Sequence, residues 1–170
     1  MGSNSIGLSG SDGNLIRAHQ RTGSEIDYGF VGDIDEVNSA LIQQQLLNNS
    51  RLVIAPITHD GSGQLLNTNA DTIAQNIATA MSGLYKVHLV FGFEKEGVLK
   101  DVNDEDSVIS SINSIIYNQL KQDKVIFEGM IPKIDNAFLA LHGGVQSVMI
   151  GKAEKLDELM KGAAGTTITK

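Results

Sequence analysis

Residues 52–91, LVIAPITHDGSGQLLNTNADTIAQNIATAMSGLYKVHLVF, alternate between apolar runs and a helical pattern, and this alternation decides the fold class. Residues 52–57 and 87–91 are continuous apolar runs, which are typical of buried strands. Between them, a hairpin-like turn precedes residues 71–84, where apolar side chains recur at helical spacing. Strands separated by helices need crossover connections, so the sequence predicts an α/β fold with a mainly parallel sheet covered on both faces.

The rest of the chain continues this alternation. It predicts further strands at residues 5–9, 15–18, 29–33, 147–150 and 166–169. It predicts further helices at residues 35–49, 108–120, 130–141 and 153–160. Ligands of such sheets bind beyond the carboxyl ends of the strands, so the polar loops after Ile57, Phe91 and Ile150 are the places where we expect a site.

Composition excludes several classes of function. A length of 170 residues favours one domain, and a net charge of −7 disfavours nucleic acid as a partner. The absence of cysteine excludes disulfides, thiolate nucleophiles and Cys-ligated zinc. The chain has no HExxH motif, so we assign no metal ligands. It also has neither a signal-peptide pattern nor an apolar run of about 18 residues, so we expect a cytoplasmic protein without membrane contact.

The segment LNTNAD, which ends at Asp71, directly precedes a predicted helix. Asn and Asp are good N-cap residues, so one interpretation is that this segment only caps the helix. The alternative is a binding site at a positive helix terminus, where Asn67 and Asn69 donate to a substrate carboxylate and Asp71 holds a cation. The residues alone leave both interpretations open.

The segment EGMIPK, which ends at Lys133, also opens a predicted helix. Gly129 permits a tight turn, and Pro132 suits a first helical turn because its missing N–H costs little there. The free N–H groups of a helix start bind anions, and the ammonium of Lys133 lies within reach of such an anion. The apolar run Val125, Ile126 and Phe127 offers a surface for an adenine ring. An ordinary helix start with a solvated lysine is the alternative.

In combination, these segments resemble the amino acid kinase family and, within it, the N-acetylglutamate kinases. The usual forms in that group are close to N-[IVT]-N-A-D and G-G-M-I-P-K. The resemblance extends, in the same order along the chain, to GLSGSDGNLIRA, DYGFVGDIDEVN, VIAPITHDGSGQLLN and GTTI. It implies a three-layer αβα sandwich and transfer of the ATP γ-phosphate to the γ-carboxylate of N-acetyl-L-glutamate, a step of arginine biosynthesis.

The resemblance also implies residue roles. Lys133 would match the lysine that stabilises the transferring phosphoryl group, and Asp71 the acid that orients the catalytic lysines. Asn67 would match a ligand of the α-carboxylate side of the acylated amino acid, with Asn69 in support. The nucleotide, ATP with Mg²⁺, would contact Glu94, Lys95, Glu96, Gly97, Val98, Leu99, Val125, Ile126, Phe127 and Gly129. Residues 1–60 and 61–170 of a single partial domain would form the acylglutamate-binding and ATP-binding regions.

The sequence departs from the family pattern in two respects. A loop of T-D-V-[PS]-G type usually follows the nucleotide strand, whereas this chain has FEKEG ending at Gly97. The K-x-G-G and H-G-G-G loops and the early substrate arginine have no counterpart, so we expect that the N-terminal half is missing and that this chain alone has little or no turnover. The complete protein is expected to be a homo-oligomer.

Two alternatives remain beside acetylglutamate kinase activity. A close variant acts on another N-acylglutamate such as N-succinylglutamate, because part of the acyl pocket lies in the missing sequence. The other alternative is a nucleotide-binding module without catalysis.

Overall fold

The computed structural model describes residues 4–23, 26–126 and 129–170. Internal contacts divide the chain into two compact units, residues 1–80 and 81–170. Phe127, which is predicted as a nucleotide contact, lies outside the described residues, and so does Glu128 of the EGMIPK segment.

The described residues of the first unit form six strands and the helix α1, and α2 begins in this unit. In chain order these elements are β1 Ser5–Leu8, β2 Ile16–Gln20, β3 Gly32–Val37, α1 Ser39–Leu47, β4 Arg51–Ile54, β5 Ile57–His59, β6 Leu65–Asn67 and α2 Ala70–Ser82. β1 and β4 pair in parallel as a two-stranded sheet. The other four strands form a sheet of order β3-β2-β5-β6, in which two antiparallel hairpins join through the parallel pair β2–β5.

A buried pair of threonine hydroxyls holds this four-stranded sheet together. The Oγ1 atoms of Thr58 and Thr68 lie 2.9 Å apart, and the Thr68 hydroxyl donates to the carbonyl of Gly32. A Cβ atom at Gly32 would lie 2.8 Å from the Leu66 Cβ, so only glycine fits beside the pair. The backbone N–H of Asn67 donates to the carbonyl of Phe30 at 2.7 Å. These bonds fix the point where β6 ends and α2 begins.

In the part of the second unit that the structure describes, α-helices accompany a four-stranded sheet. Its elements are β7 His88–Phe93, β8 Ser111–Ile112, α3 Ser114–Gln122, α4 Met130–His142, β9 Ser147–Lys152, α5 Leu156–Met160 and β10 Thr166–Ile168. The strand order is β7-β9-β10-β8, with β7–β9 and β8–β10 parallel and β9–β10 antiparallel. α4 and α5 both pack against β9. The fully buried Ile134, Val148 and Ile150 form the centre of the core.

The α/β class is confirmed, and both four-stranded sheets mix parallel with antiparallel pairs. Helices α2 and α4 lie close to their predicted bounds, because each has a long amphipathic pattern. Among the residues that the structure describes, no helix is both long and apolar enough to cross a bilayer.

Several predicted boundaries are wrong. The strand predicted at residues 29–33 begins only at Gly32 and continues to Val37. The helix predicted at residues 153–160 begins at Leu156. The helix predicted at residues 35–49 begins only at Ser39, because β3 runs through Val37 and the Asn38 side chain caps the helix. The helix predicted at residues 108–120 begins at Ser114, after the short strand β8. The strand predicted at residues 52–57 divides into β4 and β5 at Pro56, a residue without the N–H that a ladder needs.

Tyr117 connects α3 to the first turns of α4. Its side chain is buried, and its hydroxyl donates to Asp135 Oδ1 at 2.6 Å and lies 3.3 Å from the carbonyl oxygen of Ile131. Burial raises the pKa of the Tyr117 phenol above its ordinary value because it disfavours the phenolate, and the adjacent Asp135 carboxylate raises it further.

We therefore expect Tyr117→Phe to lower the free energy of unfolding by about 1 kcal/mol at neutral pH. In the wild type, the unfolded phenol loses its proton near pH ~10 while the folded phenol keeps it, so stability falls as the pH rises above that value. Tyr117→Phe has no phenol at this position, so its free energy of unfolding should lack this part of the decrease at alkaline pH. Urea unfolding across this pH range measures it, with Tyr85→Phe, a tyrosine 40% exposed in the same unit, as the control. Equal pH dependence in both variants would contradict the assignment.

Candidate functional site

The start of α4 is a helix terminus that opens on Gly129. Gly129 has helical backbone angles at the N-cap, and in the described part of the chain no side chain caps this helix. The N–H groups of Met130 and Ile131 have no intrahelical partner, since the first turn has no preceding carbonyls. Pro132 lies in the same turn, where its missing N–H costs little. The terminus therefore carries a partial positive charge and oriented donors that suit an anion.

Lys133 lies in this first turn, at the end of β7. Its side chain is half-buried, and its Nζ lies 5.1 Å from the centroid of the Phe91 ring and 5.9 Å from that of Phe93. Phe93 is the last residue of β7, which pairs in parallel with β9. The ammonium is therefore held at the carboxyl end of a parallel pair, where α/β proteins bind ligands.

An apolar cavity of about 70 Å³ lies beside this lysine's aromatic neighbours. It brings together many of the predicted nucleotide contacts, namely Lys95, Gly97, Val98, Leu99, Val125 and Ile126. The remaining lining residues are Phe93, Val102 and Met130, and the sequence does not predict them as nucleotide contacts. Phe93 and Met130 adjoin predicted segments, and an extension of each segment by one residue would have included them. Val102 lies in a charged loop, and no local signal marks it.

Three other predicted nucleotide contacts do not line this cavity. Glu94 is exposed, and Gly129 is exposed at the start of α4. Glu96 accepts hydrogen bonds from Lys155 at 2.8 Å and Lys152 at 3.4 Å. The bond from Lys155 holds the pKa of Glu96 below its usual range, and Lys152 adds to this effect. These two bonds connect the loop that contains Glu96 to the end of β9 and to the residues that follow it.

A triangle of hydrogen bonds holds the cavity wall in place. The N–H of Val98 donates to Thr166 Oγ1 at 2.8 Å, and the Thr166 hydroxyl donates to the carbonyl of Ile109 at 2.7 Å. The N–H of Ile109 returns to the carbonyl of Val98 at 2.8 Å. A Cβ atom at Gly97 would lie 2.8 Å from Val108 Cγ1, so this position needs glycine. The loop backbone is thus fixed to β10.

The LNTNAD residues of the first unit have different surroundings. Asn69 caps α2, because its Oδ1 accepts the N–H of Thr72 at 3.1 Å and its carbonyl accepts the N–H of Ile73. The capping interpretation is therefore correct for Asn69. Asp71 lies in the first turn of α2, where the helix dipole stabilises a carboxylate. Asn67 ends β6 with an exposed side chain, which leaves it accessible to a ligand.

A second, polar cavity of about 610 Å³ lies in the first unit and was missed in the sequence analysis. Arg17 and Glu36 line it and form an ion pair of 3.0 Å. His59 also lines it, and its Nδ1 accepts the N–H of Gly61. The other ring nitrogen, Nε2, is buried and has no hydrogen-bond partner among the described residues, so it does not open onto the cavity.

Metal-binding side chains are dispersed. Within residues 4–23, 26–126 and 129–170, no group of three or more His, Asp or Glu side chains could hold an ion.

The comparison with protein families matches residues 1–152 to the amino acid kinase family. The acetylglutamate kinase of Cytophaga hutchinsonii is 49% identical over 92% of this chain and 60% of its own length. That of Bacteroides thetaiotaomicron is 47% identical over 99% of this chain and 64% of its own length. The chain thus spans about three-fifths of the curated relatives that it matches.

Solved structures share the fold. The smu.665 protein of Streptococcus mutans has a TM-score of 0.80 at 27% identity, over 98% of this chain and 61% of its own. The N-acetylglutamate synthase of Neisseria gonorrhoeae, complexed with coenzyme A and L-arginine, has a TM-score of 0.81 at 20% identity, over all of this chain and 38% of its own. The α/β architecture is therefore that of the amino acid kinases and proteins of similar fold.

The hydrogen-bond triangle predicts the effect of Thr166→Val. This change keeps the side-chain volume but leaves the buried N–H of Val98 and carbonyl of Ile109 without the hydroxyl. We expect the free energy of unfolding to fall by roughly 2–4 kcal/mol, as measured by urea unfolding. Thr167→Val, at the half-buried neighbour, is the matched control and should change it little. Similar losses in both variants would show that the hydroxyl does not hold the loop.

Proposed function

Since the chain belongs to the amino acid kinase family, we propose that it binds ATP and serves the transfer of the γ-phosphoryl group to the γ-carboxylate of an N-acylglutamate. The relatives named acetylglutamate kinase support this choice of acceptor. The observation that carries the proposal is the position of Lys133, whose ammonium lies in the first turn of α4 and over the end of β7.

The proposed nucleotide position follows from the second unit. The apolar cavity beside Phe93 and Val98 would receive the edge of the adenine ring. At about 70 Å³ it is smaller than a typical ligand pocket, so the ribose and phosphates would extend outside it. The amides at the start of α4 and the ammonium of Lys133 would bind the phosphates, because both favour negative charge.

The proposed reaction needs positioning and charge stabilisation more than proton transfer. A carboxylate oxygen of the acceptor, ionised at neutral pH, attacks the γ-phosphorus, and the bond from that phosphorus to the β–γ bridging oxygen breaks. The products are an acyl phosphate and ADP. Lys133 would offset the charge on the transferring phosphoryl group, and a lysine suits this role because it acts as a flexible point charge.

Magnesium would enter this reaction with the nucleotide. Mg²⁺ in phosphoryl-transfer sites is held by one or two carboxylates together with the substrate phosphates and water.

The acceptor would bind through the first unit. We propose Asn67 as the amide that contacts the α-carboxylate side of the acylglutamate, because its side chain is exposed at the end of β6. Asn69 would act indirectly, since its side chain caps α2. The role of Asp71 in orienting catalytic lysines, the choice between acetyl and succinyl groups, and the homo-oligomeric state stay predictions.

Lys133→Ala tests the nucleotide part of this proposal. We expect calorimetry with a magnesium complex of a non-hydrolysable ATP analogue to show binding at least about tenfold weaker, since a charge-assisted hydrogen bond to phosphate is lost. Lys121→Ala is the matched control, because Lys121 is a lysine of the same unit that also lies over an aromatic ring, that of Tyr117. Equal affinity in the wild type and Lys133→Ala would exclude the proposed phosphate site.

Asn67→Ala and Asn69→Ala test the acceptor part. Asn67→Ala should weaken the binding of N-acetylglutamate or N-succinylglutamate in calorimetry and leave urea unfolding unchanged. Asn69→Ala should instead lower the free energy of unfolding by about 1 kcal/mol through the lost cap. If only Asn69→Ala weakens acylglutamate binding, the two roles are assigned the wrong way round.

A further inference from the structure

We propose that Phe91 and Phe93 are positioning residues, whose ring faces hold the ammonium of Lys133 where it meets the nucleotide phosphates. This inference rests on the proposed function of Lys133 and adds a role for two residues of β7. Phe93 also opens the FEKEG segment, in which the chain departs from the usual family pattern.

The strand sets the geometry of the two rings. Phe91 and Phe93 are two residues apart on β7, so their side chains leave the same face of the sheet. Gly92, between them, faces the other way, and a Cβ atom there would lie 3.2 Å from the Ala153 Cβ. The pairing of Phe91 with Ile150 and of Phe93 with Lys152 fixes both backbone positions. The two rings therefore present an aromatic surface on one face of β7.

Lys133 lies against this surface. Its Nζ is 5.1 Å from the Phe91 centroid and 5.9 Å from the Phe93 centroid, and both distances are within the range of about 6 Å for cation–π attraction. Phe91 is only 3% exposed, so the core keeps its ring in place. The lysine side chain is itself half-buried, which reduces competition from water. The rings thus limit the positions that a long and flexible side chain samples.

A ring face is well suited to hold a lysine that must bind phosphate. It attracts the ammonium charge through its quadrupole. A lysine that is already in position loses less side-chain entropy when the phosphate arrives. Because Phe93 also lines the apolar cavity, the same ring borders both the proposed adenine position and the lysine.

The first measurement follows the lysine alone, without nucleotide. The rings should shift the NMR resonance of the Lys133 Cε protons upfield, and this resonance is assigned through its loss in Lys133→Arg. Phe93→Leu should move it toward the value of exposed lysines, whereas Phe93→Tyr should keep it. Phe138→Leu is the control, because it removes a ring of α4 that contacts Tyr117 at 5.4 Å. An unchanged resonance in Phe93→Leu overturns the proposal.

The second measurement asks whether Phe93 acts through Lys133. Phe93→Leu should weaken binding of the magnesium–ATP analogue by about three- to tenfold in calorimetry. In the double variant with Lys133→Ala, the same change should have a clearly smaller effect, since only the contact of Phe93 with the adenine cavity is then left to lose. Full additivity would show that Phe93 acts on the nucleotide directly, and it overturns the positioning role.

These results separate the inference from the function on which it rests. If Lys133→Ala leaves analogue binding unchanged, the proposed function fails and the positioning role falls with it, whatever the resonance shows. If Lys133→Ala weakens binding but Phe93→Leu does not, the inference alone is overturned.

Discussion

The candidate site of the second unit depends on the parallel pairing of β7 with β9. This ladder is in register from His88 opposite Ser147 to Phe93 opposite Lys152. It ends both strands at the same level, where Phe93 meets the ammonium of Lys133 and where Lys152 meets Glu96. A slip by one residue would turn the two phenylalanines to the opposite face of the sheet, since side chains alternate along a strand.

In each of the two units, some polar residues hold the backbone and others remain accessible. The Thr166 hydroxyl accepts from one backbone group and donates to another at the cavity wall, and the Oδ1 of Asn69 accepts a backbone N–H at the start of α2. Asn67, by contrast, has an exposed side chain at the end of β6. Asn67 and Asn69 are the same type of residue in one motif, and they thus have different surroundings. Their roles follow from where the chain places each oxygen and N–H, and the type of residue does not decide them.

The sequence predicted well those parts of the fold that rest on long periodic patterns. The bounds of α2 and α4 follow from apolar side chains that recur over a whole helix, and β9 is a continuous apolar run between polar residues. β8 has only two residues, Ser111 and Ile112, and it exists because β10 pairs with it from a distant part of the chain. No local pattern indicates such a strand, so the region was predicted as part of a helix.

The same limit applies to the site. Val98 and Ile126 were predicted as nucleotide contacts because they belong to segments with a recognisable pattern, and the structure brings them into one cavity. Val102 joins them through a tertiary contact that its charged surroundings do not indicate. Phe91 was identified only as the end of a strand, because its relation to Lys133 depends on how α4 lies beside β7.

The hydrogen bonds of Thr166 hold the cavity wall, and they limit how the loop that ends at Gly97 can change in evolution. The hydrogen bond from the Val98 N–H to Thr166 and the lack of space at Gly97 set the path of the loop, together with the bonds from Lys152 and Lys155 to Glu96. The side chain of Glu94 is exposed, so a mutation can replace its charge without moving the backbone. A lineage can thus exchange one loop chemistry for another while the hollow beside it keeps its shape, provided that the glycine and the anchoring hydroxyl are retained.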